Sequence, residues 1–232
     1  MPVQACLPRP ALGLTPVGGR AAALPAWAAP QRRRQQQQRR RCPASPSASA
    51  AAVFPPFTLI SRTPAYDLRL YSPHWVISTP YTRRDEGFER LGAYGAGANA
   101  DAVTAPAPAQ PVVMWFSSLA DATASPATAG KRMTLHVVGA GAPGAGPPPA
   151  PTTSGVTLDV AGGEVLAVAR FEGYATPDAT AGALGGLLAA LEADGVGLAP
   201  AAAAGAFRLA QYGPLFTMET RMNEVQVGVA LG

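Results

Sequence analysis

The sequence predicts an α+β fold in which eight antiparallel strands form a closed or nearly closed sheet with two helices packed on one side. Three observations support this prediction. Eight short segments have strand-like apolar patterns and come in pairs separated by turn residues. Two longer segments have helical periodicity, and each lies between two such pairs. The order strand–strand–helix–strand–strand therefore occurs twice, which indicates two similar ββαββ halves, and closure leaves few unpaired strand edges.

The first half begins with the segment YDLRLY, which alternates as a strand, and the dipeptide SP then turns the chain into a second strand. Phe88, Leu91 and Tyr94 follow at helical spacing within residues 82–97, where glycines end the helix. A turn-rich stretch and two further strand-like segments complete this half. The predicted strands are residues 66–71, 74–81, 112–117 and 132–138.

The second half repeats this plan at the level of elements, although few side chains are identical between the halves. A hairpin with the turn AGGE comes first. An amphipathic helix rich in Ala and Leu follows at residues 180–195 and ends in glycine. The predicted strands are residues 156–160, 165–171, 207–212 and 224–231.

Two connections lack any periodicity and are rich in Ala, Gly, Pro and Ser. Residues 120–131 and 139–155 offer little to bury, so we expect mobile surface insertions there. The Gly-rich run GAGAPGAG is not a phosphate-binding loop, because it lacks the Lys-Ser/Thr ending and no helix is predicted after it.

The N-terminal leader differs in composition from the rest of the chain. Residues 1–66 contain nine Arg and no Asp or Glu, whereas the remainder has nine Lys or Arg against fourteen Asp or Glu. An Arg-rich, Ser-containing and acid-free leader is typical of an organellar transit peptide. We therefore predict that residues 1–61 are a transit peptide or disordered leader and that residues 62–232 are the folded domain. A chloroplast destination is preferred, with the mitochondrion as the alternative.

Charge and composition argue against several classes of function. The acidic domain offers no phosphate-binding footprint, so nucleic acid is not an expected partner, although a basic arm that binds nucleic acid is an alternative role for the leader. No apolar stretch reaches the ~20 residues of a membrane helix, and we expect a soluble protein. Cys6 and Cys42 both lie in the leader, so the mature domain would have no thiol for disulfides, metal sites or catalysis.

Catalytic constellations are scarce in the sequence. No Ser nucleophile elbow is present, and neither His74 nor His136 has a carboxylate nearby in sequence to orient it. Asp85, Glu86 and Glu89 fit a solvated N-terminal part of the first helix, where acidic residues favour the helix dipole. A general acid–base pair among them is the alternative. The sequence therefore predicts no catalytic residues.

The sequence instead indicates a binding surface. Phe88 and Leu91 lie one turn apart on the first helix, beside glycines that allow close approach. The segment YGPLFTM, between the last two predicted strands, places Leu215, Phe216 and Met218 on a loop. Exposed apolar loops usually contact a ligand or a partner. For Phe88 and Leu91, packing against the core is an equally good interpretation.

Several segments resemble the SOUL haem-binding protein family, as a plastid or algal type of member. These segments are YDLRLYSPHWV, GFERLGAYGAGAN, AVARFEGYAT and FRLAQYGPLFTMETRMNEVQV, and they span about the whole folded domain. The family ends in an aromatic residue, a Pro-containing loop and an Arg-x-Asn-Glu-Val strand. The matching positions are Phe88, Leu91, Tyr94, Gly97, Asn99, Tyr212, Pro214, Arg221, Asn223, Glu224 and Val225.

The resemblance implies a distorted eight-stranded antiparallel β-barrel with two helices, built from two similar halves. It also implies that haem or another tetrapyrrole binds in an apolar cleft between the first helix and the late loop, with basic residues near the propionates. Arg90 and Arg221 are the candidate carboxylate contacts, while residues 102–113 depart from the family pattern by lacking its Met. Iron ligation by His74 or His136 is the weaker expectation, since cleft binding does not require a His.

The sequence thus predicts a non-catalytic protein that binds haem or a related tetrapyrrole reversibly, as a buffer or carrier. One alternative is an interaction or scaffold protein of an organellar lipid particle, which would dock through the same apolar loop. Another is an enzyme that modifies a tetrapyrrole. Asn223 and Glu224 are expected to fix the late loop by hydrogen bonds to its own backbone. For Arg221, a similar structural role is the alternative to a ligand contact.

Overall fold

The computed structural model describes residues 52–105, 109–123, 131–138, 146–213 and 221–230. Within these residues the chain forms an α+β fold of nine strands and four helices. The strands are β1 (Phe57–Arg62), β2 (Asp67–Tyr71), β3 (His74–Pro80), β4 (Val112–Phe116), β5 (Arg132–His136), β6 (Thr157–Ala161), β7 (Glu164–Glu172), β8 (Phe207–Gln211) and β9 (Met222–Gly228). The helices are α1 (Arg84–Gly95), α2 (Leu119–Thr123), α3 (Pro177–Ala193) and α4 (Pro200–Ala203).

All nine strands belong to one antiparallel, half-barrel sheet with the order β1-β2-β7-β9-β8-β4-β5-β3-β6. The β4–β8 pair lies at its centre, with Met114 opposite Leu209. The strands that follow β8 towards one edge are β9, β7 and β2. Those that follow β4 towards the other edge are β5, β3 and β6, so the two sides of the sheet have the same pattern. As a result, β2 and β6, the first strand of each predicted half, pair with strands of the other half.

The predicted count of eight strands is one short, because β1 was not recognised from the sequence. This strand begins before residue 62 and pairs with β2, where Phe57 lies opposite Tyr71 and a bulge follows Leu59. All six of its residues are exposed, so it lacks the buried, alternating face that identifies a strand from sequence. The short helices α2 and α4 were also not predicted, since five and four residues are too few to show helical periodicity.

One face of the sheet is covered by helices. The α1 helix packs on β3 and β5, and α3 packs on β7 and β9. In α1, an added side-chain carbon at Gly87 would lie only 3.1 Å from the Met133 side chain, so glycine allows this close packing. The α3 helix starts earlier than predicted because Thr176 caps it and Pro177 occupies its first turn. The apolar core between helices and sheet includes Ile77, Leu91, Met114, Met133, Leu187, Leu191, Leu209 and Val225.

The opposite face of the sheet, here called the concave face, is polar near its centre. Because side chains alternate along a strand, each strand that buries an apolar residue under the helices turns its neighbour to this face. On β9, for example, Val225 belongs to the helix-covered core, and its neighbours Glu224 and Gln226 are also buried. The concave face therefore contains charged and amide side chains that are shielded from solvent.

The second predicted insertion is described in part, at residues 146–155. Tyr94 donates a hydrogen bond from its hydroxyl to the carbonyl of Pro149 at 3.0 Å. The backbone NH of Ala100 donates to the carbonyl of Ala150 at 2.8 Å. This part of the connection is thus attached to the loop that follows α1. Residues 139–145, and residues 124–130 of the first predicted insertion, lie outside the described residues.

The role of β1 can be tested by truncation. A chain that starts at residue 62 lacks the Phe57 ring, which lies 5.4 Å from the Tyr71 ring and covers the Arg69 guanidinium at 4.7 Å. We expect this chain to be less stable than one that starts at residue 52, by about 1–3 kcal/mol, because apolar area around Tyr71 becomes exposed. Urea unfolding followed by circular dichroism measures the difference. Equal midpoints for the two chains would show that β1 does not stabilise the sheet.

Candidate functional site

A cleft of about 200 Å³ opens on the helix-covered side of the fold. It lies between the start of α1, the loop from β7 to α3, and the ends of β8 and β9. We call it the aromatic cleft, because it contains the half-buried ring of Phe88 and the ring of Tyr174, which is 83% exposed. Its lining residues are Arg84, Phe88, Tyr174, Ala175, Thr176, Gln211 and Arg221.

Local structure explains why these side chains meet. Arg84 and Phe88 are one turn apart on α1, so they share a face of the helix. The chain leaves β7 at Gly173, whose positive φ of 92° favours glycine. The Asn223 side chain donates to the carbonyl of Gly173 at 2.9 Å, and the Gly173 NH donates to the carbonyl of Arg221 at 2.8 Å. These bonds hold the β7–α3 loop against β9.

The chemistry of the aromatic cleft suits a flat ligand that carries a carboxylate. Phe88 and Tyr174 offer apolar ring surface, and Arg84 and Arg221 offer guanidinium groups that match a carboxylate. Its described lining contains no acidic side chain that would repel such a group. Among the nearby acids, Asp85 pairs with Arg83 at the exposed start of α1, and the hydrogen bond from Arg83 lowers the pKa of Asp85.

The structure brings Phe88 and Arg221 together in the aromatic cleft and places two other predicted residues elsewhere. Leu91 is buried in the core and faces an apolar pocket of about 370 Å³ at the other side of α1. Arg90 donates from Nη1 to the carbonyl of Pro80 at 3.0 Å and does not line the cleft. The three predicted loop residues, Leu215, Phe216 and Met218, lie outside the described residues.

Of the four aromatic and basic side chains in the aromatic cleft, two were not predicted from the sequence, namely Tyr174 and Arg84. Tyr174 is a single aromatic residue in a turn and has no partner nearby in sequence, so only the fold brings it beside Phe88. Arg84 could have been found, because it lies one helical turn before Phe88. The structure therefore adds an aromatic and a basic side chain to the predicted set.

A second cavity, also of about 200 Å³, lies on the concave face, and we call it the inner cavity. Both His74 and His136 line it, with ring centroids 5.3 Å apart, whereas neither lines the aromatic cleft. His74 Nδ1 lies 2.8 Å from the carbonyl of Ser72. Burial, together with the neighbouring His74, lowers the pKa of His136, although the nearby backbone of Trp75 opposes this effect.

A buried charge network borders the inner cavity. Arg69 donates from Nη1 to Glu224 at 3.0 Å and from Nη2 to Asp67 at 2.8 Å. Glu224 also accepts the hydroxyl of Tyr212 at 2.7 Å and the side-chain amide of Gln226 at 3.1 Å. Burial raises the pKa of Tyr212, and the negative charge of Glu224 raises it further. Arg69 is only 2% exposed, so its buried charge is stabilised by these partners and not by water.

The described partners of Asn223 and Glu224 lie on several elements, while residues 214–220 of the late loop are outside the described residues. The Asn223 amide donates to Gly173, which belongs to the β7–α3 loop, and Glu224 accepts side-chain donors on the concave face. One described bond reaches the start of the late loop, where the hydroxyl of Tyr212 donates to Glu224. Alternation along β9 turns the two neighbouring side chains to opposite faces of the sheet.

Substitution of Glu224 tests the buried network. The Glu224→Gln change keeps the shape of the side chain but removes the charge that faces Arg69, so we expect a loss of about 3 kcal/mol in the free energy of unfolding. Urea denaturation is the measurement. The control is Asp85→Asn, which removes an exposed ion pair and should leave the unfolding midpoint unchanged. Equal midpoints for the two variants would contradict a stabilising role for the Arg69–Glu224 pair.

Among the described residues, no helix is long and apolar enough to cross a membrane. The same residues contain no group of three or more His, Cys, Asp or Glu side chains placed to hold a metal ion.

In the comparison with protein families, residues 54–228 match the model described as SOUL heme-binding protein. A search of curated proteins found no match. Among solved structures, a hydrolase encoded by lin2189 from Listeria innocua is 8% identical, with a TM-score of 0.51 over 72% of this chain and 92% of that chain. The EcmrR C-terminal domain is 14% identical, with a TM-score of 0.49 over 71% and 98%. At these identities the first structure shows a shared fold alone.

Proposed function

Because the chain belongs to the SOUL heme-binding protein family, we propose that it binds haem or a related tetrapyrrole reversibly in the aromatic cleft, as a buffer or carrier. The main observation behind this proposal is that two aromatic rings and two guanidinium groups line the same cleft. A tetrapyrrole has a flat apolar ring and, in haem, two carboxylates. Phe88 and Tyr174 would contact the ring, while Arg84 and Arg221 would pair with the carboxylates.

Binding in this cleft does not require iron ligation by a His. His74 and His136 line the inner cavity on the concave face, whereas the aromatic cleft lies on the helix-covered side. Contact with the ring would therefore supply most of the affinity, as in other largely apolar ligand sites. We further propose that Leu215, Phe216 and Met218 add apolar contacts, since Gln211 and Arg221, which flank their loop in sequence, line the cleft.

A non-catalytic role is favoured over tetrapyrrole chemistry by the acids near the cleft. A general acid at neutral pH needs a raised pKa, whereas the pKa of Asp85 is lowered by its hydrogen bond from Arg83. Glu89 is an exposed residue on α1 and does not line the cleft. The enzyme alternative would need an acid from outside the described lining.

An interaction role is a second candidate, and one observation favours it. Strands β1 and β2 expose several large apolar side chains near one edge of the sheet. These are Phe57, Leu59, Ile60 and Leu70, with Phe54 just before β1. Clusters of exposed apolar residues often contact partners or lipid surfaces. In this alternative the protein would associate with an organellar lipid particle and would not need a pigment.

Titration of the full-length chain tests the ligand and its contacts. We expect saturable binding of both hemin and iron-free protoporphyrin IX, measured by absorbance in the Soret region. Phe88→Ala should weaken both ligands about tenfold, because it removes ring contact worth roughly 1.4 kcal/mol. Arg221→Gln should weaken the free acid to a similar extent but leave the dimethyl ester of protoporphyrin unaffected, since the ester carries no carboxylate.

Arg90→Gln is the matched control, because Arg90 lies on α1 but outside the cleft lining. If Arg90→Gln lost affinity for hemin and Arg221→Gln kept it, the carboxylate contact would be Arg90 and not Arg221. Iron-dependent binding would instead point to ligation by His74 or His136. Failure of both ligands to saturate would overturn the proposal and leave the interaction role as the better candidate.

We propose that the protein acts in the chloroplast, because the leader is rich in Arg and contains no acidic residue. Its β1 strand begins at Phe57, so cleavage before that residue would leave the sheet complete. A fluorescent fusion of the full chain should accumulate in chloroplasts, and a fusion that lacks residues 1–51 should stay in the cytosol. Accumulation of the full fusion in mitochondria would contradict the chloroplast assignment.

A further inference from the structure

We propose that the inner cavity is a second ligand site, separate from the aromatic cleft, for a small, flat organic anion such as an aromatic carboxylate. The proposal concerns the concave face of the sheet and does not depend on tetrapyrrole binding. It rests on the size of the cavity, the sign of the charges in its wall, and a buried polar atom that no described residue satisfies.

The lining of the inner cavity suits a small, flat ligand. Its volume of about 200 Å³ lies below the roughly 300–1,000 Å³ of pockets that hold drug-sized ligands. The wall offers ring surface from five aromatic side chains, which favours a flat apolar body. These are Phe54, Phe57, Tyr71, Trp115 and Tyr212.

Several of these rings are held in place before any ligand arrives. The Arg208 guanidinium lies 3.6 Å from the centre of the Trp115 ring, and Arg132 lies 4.5 Å from the same ring. Phe57 contacts Tyr71, with ring centroids 5.4 Å apart. A wall fixed in this way loses little side-chain freedom when a ligand binds, which favours affinity.

The donors of the wall favour an anion. The lining residues include three arginines, Arg69, Arg170 and Arg208, and one carboxylate, that of Glu224, while Asp67 and Glu164 pair with these arginines from outside the lining. Both oxygens of this carboxylate are occupied: Oε1 accepts from Arg69 and Arg170, and Oε2 accepts from Tyr212 and Gln226. A cationic ligand would therefore have to displace one of these donors, whereas an anion would meet a wall rich in donors.

Arg208 is the natural contact for the anion. Its one described ion pair joins Nη2 to Glu164 at 2.6 Å, which leaves its other N–H groups directed at no described carboxylate. Burial lowers the pKa of Arg208, although its pair with Glu164 opposes this effect. An anion in the cavity would give this buried guanidinium a second partner.

The Nδ1 atom of His136 gives an independent indication. This atom is buried and has no hydrogen-bond partner among the described residues, and His136 lines both the inner cavity and the apolar pocket beside α1. A buried polar atom without a partner is unfavourable, so a water molecule or a ligand must satisfy it. A carboxylic acid or carboxylate ligand can offer either a donor or an acceptor, whichever the imidazole tautomer requires.

A matched set of probes tests the charge selection on the full-length chain. The probes are 2-naphthoate, 2-naphthylmethanol and protonated 2-naphthylmethylamine, which share a ring system and differ in charge. Isothermal titration calorimetry should show saturable binding of the naphthoate, at least tenfold weaker binding of the alcohol, and no binding of the amine. Equal affinity for all three probes would overturn the proposal, because the cavity would then bind apolar rings without selecting their charge. Failure of all three to bind would also overturn it and would leave water as the occupant of the cavity.

Two variants locate the site. Arg208→Gln should reduce the affinity for naphthoate to that for the alcohol, while the affinity for the alcohol stays unchanged. Arg170→Gln is a second variant that is less prone to unfold, because the Arg170 side chain is 49% exposed. Arg221→Gln, in the aromatic cleft, should leave naphthoate binding unchanged. Saturating hemin should not displace naphthoate, so either site can fail without the other. Displacement by hemin, or loss of naphthoate binding in Arg221→Gln, would place the anion in the aromatic cleft and overturn the proposal.

Discussion

The ion pair between Arg69 and Glu224 is the interaction on which the concave face depends. It joins β2 to β9 across β7, between residues that are 155 positions apart in the sequence. Removing one partner of a buried ion pair leaves a charge without compensation, at roughly 3–5 kcal/mol. Strands in another register would separate Arg69 from its acidic partners, since a shift by one residue turns every side chain to the other face. The pair therefore favours this register of the strands over shifted ones.

Strand β9 connects this network to the helix-covered side of the sheet. Glu224 faces the inner cavity, whereas its neighbour Asn223 bonds to Gly173 in the loop that carries Tyr174. Consecutive residues of one strand thus support two sites on opposite faces. This explains why a short polar segment stands at the start of an otherwise apolar strand: each polar side chain has a specific partner on its own face.

Local periodicity was enough to predict most of the fold. Eight strands and the two long helices are present close to the predicted bounds, because each buries one face and therefore carries a repeating apolar pattern. The β1 strand was missed because it is exposed along its length. The candidate site was less predictable: Phe88 and Arg221 do meet, but Tyr174 joins them only through the tertiary fold. No local pattern could show that Arg69 pairs with Glu224, since alternation predicts which face a residue occupies but not its partner on a distant strand.

Stability alone does not explain why the concave face is charged. Replacing a buried ion pair with well-packed apolar residues often leaves stability unchanged or increases it, so an apolar interior would hold the sheet together equally well. Strand register accounts for Arg69, Asp67 and Glu224, which satisfy one another. It does not account for Arg208, which lies over Trp115 and pairs with the partly exposed Glu164, or for Nδ1 of His136, which has no hydrogen-bond partner among the described residues. Both residues line the inner cavity, where the proposed anionic ligand would give each of them a further partner.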